Sequence, residues 1–357
     1  MSWQILEGIR VIDLGVGAVI PELCRMLGEF GADVIKIESR ENVDFMRRVG
    51  LDGDINSSPG FNEANRNQRS LAMNLRDPRG REIAYELVKQ ADIVAENNRA
   101  DVVVKWGLDY ERVRALKPDI IYISSQGFGR GGPYENYSSF GPNLPAVAGI
   151  IYLWNHPDNT SPVGGSLNHP DHIAGKQAAV AVLAALDYRR RTGKGQFIDL
   201  SQIEMGAALI GEELLEYTIN GRVAQPMGNR SRYSAPQGVY RCQGEDRWLA
   251  LTVTTEKEWD GMRRAMGNPS WADDPRFATL VGRRRNHDDL DACIESWTIE
   301  QDPFDAMLAL QREGVPAGVV ENAEDQVLHD SHIMQRGGII ALDHPAHDGL
   351  GEKLYPG

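Results

Sequence analysis

One acid, Asp171, stands just ahead of the apolar run "IAGKQAAVAVLAAL", with His169 and His172 on either side of it. Two kinds of chemistry suit an aspartate there. As a helix cap it accepts orphan N–H bonds and complements the helix dipole. As a nucleophile it is kept ionised by the same N–H groups, on a rigid helical mount. Position alone leaves both open. The other reactive side chains are placed less suggestively. His169 and His172, and likewise His344 and His347 near Asp343 and Asp348, miss the HExxH spacing that puts metal ligands on one helix face, so no metal site is expected. Cys24, Cys242 and Cys293 are far apart and form no CxxC pair, which points away from a disulfide framework or a zinc site. No GxSxG elbow is present for serine hydrolase chemistry.

A second constellation begins at "DLGVGAVIPEL". Gly15 and Gly17 permit a tight turn and Pro21 suits the first turn of a helix, whose N-terminal N–H groups favour a phosphate. The dinucleotide fingerprint needs a small residue where Ile20 stands, so the match is incomplete. Glu38, at the end of the next strand-like run, has the place of a ribose-binding acid, which keeps an NAD-dependent dehydrogenase as a rival reading. Arg40, Arg76, Arg99 and Lys105 lie at or beside strand ends, with Asn97 and Asn98 next to Arg99. As a group they suit the several phosphates of an extended nucleotide.

The elements that position these residues follow from periodicity. "IRVIDLG", "DVIKIES", "RSLAMNL", "DIVAEN", "DIIYISSQG" and "QFIDLS" read as strands, alternating with amphipathic stretches such as "PELCRMLGEFG" and "PRGREIAYELVKQ". That alternation implies βαβ units and a mostly parallel sheet, with ligands beyond the carboxyl ends of its strands. The helix after Asp171, apolar nearly all round, is expected to be buried. Later, "GVYRCQGEDRWLALTV" reads as an antiparallel hairpin turning at Gly244 and Glu245, followed by helical segments around "EKEWDGMRRAMG", "RRRNHDDLDACIESW" and "PFDAMLALQREG". The expected organisation is an α/β large domain over residues 1–221, a smaller α+β domain over 222–325, and a return segment over 326–357.

Composition sets the outer bounds. The 357 residues, 41% hydrophobic and 25% charged, match an ordinary globular protein too long for one small domain. A net charge of −13 argues against nucleic acid or an anionic membrane as partner. With no signal-peptide pattern at the N-terminus and no membrane-spanning apolar run, a cytoplasmic location is expected.

Together the stretches "GIRVIDLG…LGEFGADVIKIE", "NRNQRSLAMNLRDPRGREIAYELVKQADIVAEN", "WGLDYERVRALKPDIIYISSQGFGRGGPY", "HIAGKQAAVAVLAAL…RRTGKGQFIDLSQIE" and "GNRSRYSAPQGVYRC" resemble, in order and over most of the chain, the class III CoA-transferases, a family that also includes the α-methylacyl-CoA racemases. The resemblance implies a Rossmann-like large domain, a small domain and an interlocked ring dimer. It implies Asp171 as the catalytic aspartate, and a CoA site drawing on Gly17, Ala18, Val19, Arg40, Arg76, Asn97, Asn98, Arg99 and Lys105. CoA and its thioesters would be substrates, with a small carboxylic acid as acceptor and no permanently bound cofactor. Where the racemases carry a histidine, this chain aligns Phe140, which favours the transferase over the racemase alternative. Gly164–Ser166 and the loop "GNRSRYSAPQG" are candidate oxyanion donors, and Tyr152, Trp154 and His156 candidates for an acyl pocket. The family continues beyond "LGEKLYPG", so the return segment is expected to be incomplete.

Overall fold

Six short β-strands carry the larger of two units: β1 (Arg10–Asp13), β2 (Asp33–Glu38), β3 (Gln68–Ala72), β4 (Ile93–Glu96), β5 (Ile121–Gln126) and β6 (Gln196–Ser201). They pair in parallel in the order β3-β2-β1-β4-β5-β6. All six coincide with the apolar runs of the sequence. The computed structural model describes residues 4–49, 54–162, 168–342 and 353–356.

Why the runs are continuous rather than alternating is visible in the packing. Val11, Val34, Ile93, Ile121 and Ile123 point to one face of the sheet, where α1 (Val19–Glu29) covers them. Ile12, Ile35, Ile37, Val94 and Tyr122 point to the other. A strand buried on both faces has no polar side to show. The opposite face is covered by α3 (Pro78–Lys89), which follows the short α2 (Pro59–Ala64), and by α4 (Ala100–Trp106) and α5 (Tyr110–Leu116). Asp77 caps α3 by accepting from Arg79 N–H, with Pro78 in the first turn, so the chain re-enters a helix directly after β3.

After β5 come two single-turn helices, α6 (Leu144–Val147) and α7 (Ile150–Leu153), then the long α8 (His169–Thr192). Arg189, Arg190 and Arg191 complement the dipole in its last turn, and Gly193 ends it in the left-handed conformation. Only one face of α8 is buried: Asp171, Ala174, Ala178, Val182 and Ala185 recur at helical spacing against α1 and the sheet. The opposite face, with Val180 and Leu183, is exposed in the single chain, contrary to the expectation of all-round burial. Apolar side chains all round a helix permit burial on every side but do not supply neighbours to cover each face. After β6, α9 (Gln202–Leu209) and α10 (Gly211–Asn220) complete the described helices of this unit.

The described residues divide into two compact units, those within 1–153 and 162–224 forming one and those within 154–161 and 225–342 the other. The second unit is built on an antiparallel sheet of β7 (Gln237–Arg241), β8 (Trp248–Thr252) and β9 (Ala317–Val319). The hairpin turn at Gly244–Asp246 uses positive φ at both ends. Helices α11 (Glu256–Ala265), α12 (Leu280–Arg285), α13 (His287–Thr298) and α14 (Pro303–Arg312) surround a core of Leu249, Leu251, Trp259, Met262, Phe277, Leu290, Ile294 and Leu310. Among the described residues no helix is long and apolar enough to cross a membrane.

Candidate active site

The carboxyl ends of β1 to β4 open into a cavity of about 710 Å³. Strand order reverses between β1 and β4, the place where open parallel sheets bind ligands. Arg76, Arg81 and Lys105 bring cations to this cavity, and Trp106 brings an aromatic face. The Arg76 guanidinium enters no ion pair among the described residues, while Lys105 donates to Asp101 at 2.7 Å. Arg40 is exposed on the neighbouring Ser39–Asn42 turn, and Arg99 is spent on both oxygens of Asp101 at 2.9 and 3.0 Å. Arg81 and Trp106 were not singled out from the sequence, because neither lies at a strand end; each is carried to the rim by its helix.

The first βα turn is built from inside. Gly15 lies under Ile20: a Cβ on Gly15 would stand 2.4 Å from Ile20 Cγ2. Ile20 therefore fills the space that the third small residue of a dinucleotide fingerprint leaves open. Gly17, at φ +74°, donates its N–H to Asp44 Oδ2 at 3.1 Å. Beneath the turn, the Lys36 ammonium donates to Gly15 O at 2.8 Å and lies 3.4 and 3.5 Å from the carboxylates of Asp13 and Asp44. Burial disfavours the Lys36 charge, but the two carboxylates outweigh it and hold the amine above its ordinary pKa. Asn97 accepts from Val16 N–H at 2.9 Å and donates to Val16 O at 2.8 Å, while Asn98 Nδ2 donates to Leu14 O at 2.9 Å. Both amides brace the turn, and Asn98 also lines the cavity. Ala18 is the N-cap of α1, and Val19 is buried in the core. Glu38 receives Arg47 at 2.9 and 2.8 Å on its two oxygens, leaving it ill suited to a ribose hydroxyl.

From this turn a line of contacts leads to Asp171. Phe45, which follows Asp44, lies against Gly17: a Cβ there would stand 2.8 Å from Phe45 Cζ. Phe45 meets Phe140 edge to face at 6.1 Å between ring centroids. The next residue, Gly141, abuts Asp171: its Cβ would come within 2.7 Å of Asp171 Oδ2 and 2.1 Å of Asn168 Nδ2. The contacts run in series from the first βα turn, and Gly141 is the residue of that line that abuts the carboxylate.

Asp171 occupies the third position of α8, and the N-cap is Asn168. Among the described residues, the Asp171 carboxylate accepts no hydrogen bond, so it does not do a cap's work there. It is 8% exposed, and burial pushes its pKa up to about 6, with the His172 charge opposing and Glu22 adding to the shift. The placement depends on how α8 meets α1. Gly175, whose Cβ would lie 3.1 Å from Val19 O, lets the two helices approach closely. Glu22 of α1 reaches across to His172 Nδ1 at 2.7 Å and Lys176 Nζ at 3.1 Å. The hydrogen bond that His172 donates to Glu22 raises the His172 pKa.

In the second unit, the loop "GNRSRYSAPQG" is pinned at two points. Arg230 donates to Asp288 and Asp291, each at 2.6 Å, and the Ala235 carbonyl accepts from the buried Arg283 at 2.9 Å. His156 packs under Gly228 of the same loop, within this unit; Tyr152 and Trp154 are exposed. Gly164–Ser166 and the His344–His347 pair lie outside the described residues.

Comparison with known proteins supplies a context for this geometry. The family described as CoA-transferase family III matches residues 6–353. The chain is 32% identical over 340 residues to succinyl-CoA–D-citramalate CoA-transferase of Chloroflexus aurantiacus, covering 95% of this chain and 84% of that protein. It is 31% identical over 350 residues to succinate–glutarate CoA-transferase of Agrobacterium fabrum, covering 96% and 86%. The crystal structure of a CAIB/BAIF family protein from Brucella suis superposes with a TM-score of 0.86 at 30% identity, over 98% of this chain and 94% of that one.

Proposed function

The chain belongs to CoA-transferase family III, and from that premise we propose that Asp171 is the nucleophile that carries CoA between an acyl donor and a carboxylic acid. The observation that carries this reading is the unbroken contact line from the cavity rim through Phe45, Phe140 and Gly141 to a buried carboxylate without a hydrogen-bonding partner among the described residues. A carboxylate bound by donors is a poor nucleophile. One that is desolvated, unpaired and still ionised at neutral pH is a good one.

On this reading the Asp171 carboxylate attacks the donor thioester and expels CoA thiolate, leaving a mixed acyl–aspartyl anhydride. The thiolate attacks the aspartyl carbonyl and releases the donor acid, which forms an aspartyl–CoA thioester. The incoming acid attacks that thioester to give a second anhydride and free thiolate, which takes the new acyl group and restores Asp171. Each step develops an oxyanion that backbone N–H groups must meet, and the Gly228–Gly238 loop and Gly164–Ser166 are the candidates. Arg76, Arg81 and Lys105 would receive the nucleotide phosphates, with Arg40 nearby for the 3′-phosphate. Phe140, aligned where the racemases carry a histidine, has no ionisable group, which supports transfer over proton exchange at an α-carbon. We also propose a homodimer, supported by the apolar side chains that α8, α9 and α10 leave exposed: Val180, Leu183, Leu209, Leu214, Leu215 and Ile219.

The test combines acyl-CoA trapping with substitution. Succinyl-CoA and other short dicarboxylic donors, the class named for the two relatives, are incubated with the enzyme and then hydroxylamine. Derivatisation of Asp171 in the native protein, together with loss of turnover in a folded Asp171→Asn variant, is the expected result. A turning-over Asp171→Asn variant, checked for deamidation, would overturn the assignment.

A further inference from the structure

Glu22 is 6% exposed and belongs to α1, yet its two oxygens are spent on α8, one on His172 and one on Lys176. These two partners sit one helical turn apart with Gly175 between them, where the missing side chain lets the helices approach closely. As a tie between helices the arrangement is redundant, since Lys176 alone would join α8 to α1. What distinguishes His172 is its place in the chain, directly after the proposed nucleophile.

The charges around this point can be enumerated. On α8 they are His169, His172 and Lys176, and on α1 Glu22 and Arg25, the latter 3.8 Å from Glu22 and also paired with Glu63. Among the other elements against α8, β5 and α6 carry no charged side chain. Asp199 of β6 accepts from Arg130 N–H, and Glu204 of α9 is exposed. Of these, His172, next to Asp171 in the chain, and Glu22, which fixes it at 2.7 Å, act on the Asp171 charge with opposite signs. An acceptor-only carboxylate at 2.7 Å requires Nδ1 to carry its proton, so the second proton is gained or lost at Nε2.

We propose that His172, held by Glu22, is a positioning residue whose charge sets the pH range over which Asp171 acts. Protonated, it stabilises the adjacent carboxylate; neutral, it leaves Asp171 facing Glu22 alone. This inference rests on Asp171 being the nucleophile.

The experiment measures kcat/KM from pH 5 to 8.5 for the native enzyme and for His172→Gln, Lys176→Gln and Asp171→Asn. Alongside it, carbon NMR follows the Asp171 carboxyl titration without any substrate. Removal of the imidazolium should raise the Asp171 midpoint by up to about one pH unit. The acid limb should follow, so that His172→Gln loses severalfold more activity at pH 6 than at pH 8, while Lys176→Gln leaves the limb in place. Equal loss at every pH, or an Asp171 midpoint that does not move, would overturn the proposal. Should His172→Gln fold poorly, the native protein still decides: the Asp171 signal must show a second inflection where His172 titrates, and a single inflection is a refutation. An inactive Asp171→Asn with an unmoved limb would remove only this inference, whereas an active Asp171→Asn would remove the nucleophile itself.

Discussion

Asp171 is ionised where ionisation is disfavoured, and that has a measurable effect on stability. Its pKa in the folded chain, about 6, lies above the unfolded value of about 3.9, so the carboxylate opposes folding when charged. The penalty is absent below about pH 4, grows as pH rises toward 6, and is complete above it. Asp171→Asn should therefore stabilise the protein by on the order of 1–3 kcal/mol at pH 8, and the gain should vanish near pH 4. Thermal unfolding at the two pH values checks this. A cap would behave otherwise, because Asn replaces Asp at a cap with little change in stability at any pH. Gly141 offers the complementary test. Its missing Cβ is what lets the chain touch Asp171 Oδ2, so Gly141→Ala must displace that carboxylate or Asn168. A misplacement of about 1 Å can cost roughly a hundredfold in rate, so kcat should fall 10- to 100-fold while the melting temperature changes far less. Unchanged kinetics would mean that the carboxylate's position is not critical.

At the scale of elements, what the sequence reveals depends on whether the cause is local. The six parallel strands were legible because burial on both faces leaves an apolar run with no gaps, and the β7–β8 hairpin because Gly244 marks its turn. Asp171 stood out because it stands just ahead of a long apolar run. The roles of Asn97, Asn98 and Glu22 were not legible. Their partners are separated by 81 residues for Asn97 and Val16, 84 for Asn98 and Leu14, and 150 for Glu22 and His172, and no periodicity encodes a tertiary hydrogen bond. The same holds for Arg283, the fully buried cation of the second unit. It donates to Ala235 O, Phe277 O and Glu256, and its guanidinium lies 4.5 Å above the Trp259 ring. Arg283→Ala leaves two buried carbonyls unpaired and opens a void, and should destabilise this unit by about 3 kcal/mol or more. Denaturant unfolding followed by tryptophan fluorescence reads the change, and a loss below about 1 kcal/mol would show that water replaces the guanidinium.

For the whole molecule, the exposed apolar residues of α8 to α10 are the feature a single chain does not explain. Leu215 and Ile219, 59% and 74% exposed, lie one turn apart on α10. Light scattering should give the mass of a dimer that persists on dilution to nanomolar concentration. Leu215→Asp with Ile219→Asp should lower that mass or yield insoluble protein, since both changes bring desolvated charge to an apolar contact. A native protein that is monomeric throughout would remove the dimer from the proposed function.

Lys36 carries a consequence of another kind. A thioester acylates any neutral primary amine that reaches its carbonyl, so a protein that handles acyl-CoA is slowly modified by its own substrate. A protonated amine has no lone pair with which to attack. Buried between Asp13 and Asp44 and donating to the Gly15 carbonyl, Lys36 is both charged and out of reach, directly beneath the turn that borders the cavity. Lys105, 72% exposed on the cavity rim and paired with the surface residue Asp101, has no such protection. Chemical ageing of the enzyme in the presence of its substrate should therefore accumulate at the rim and spare the lysine underneath.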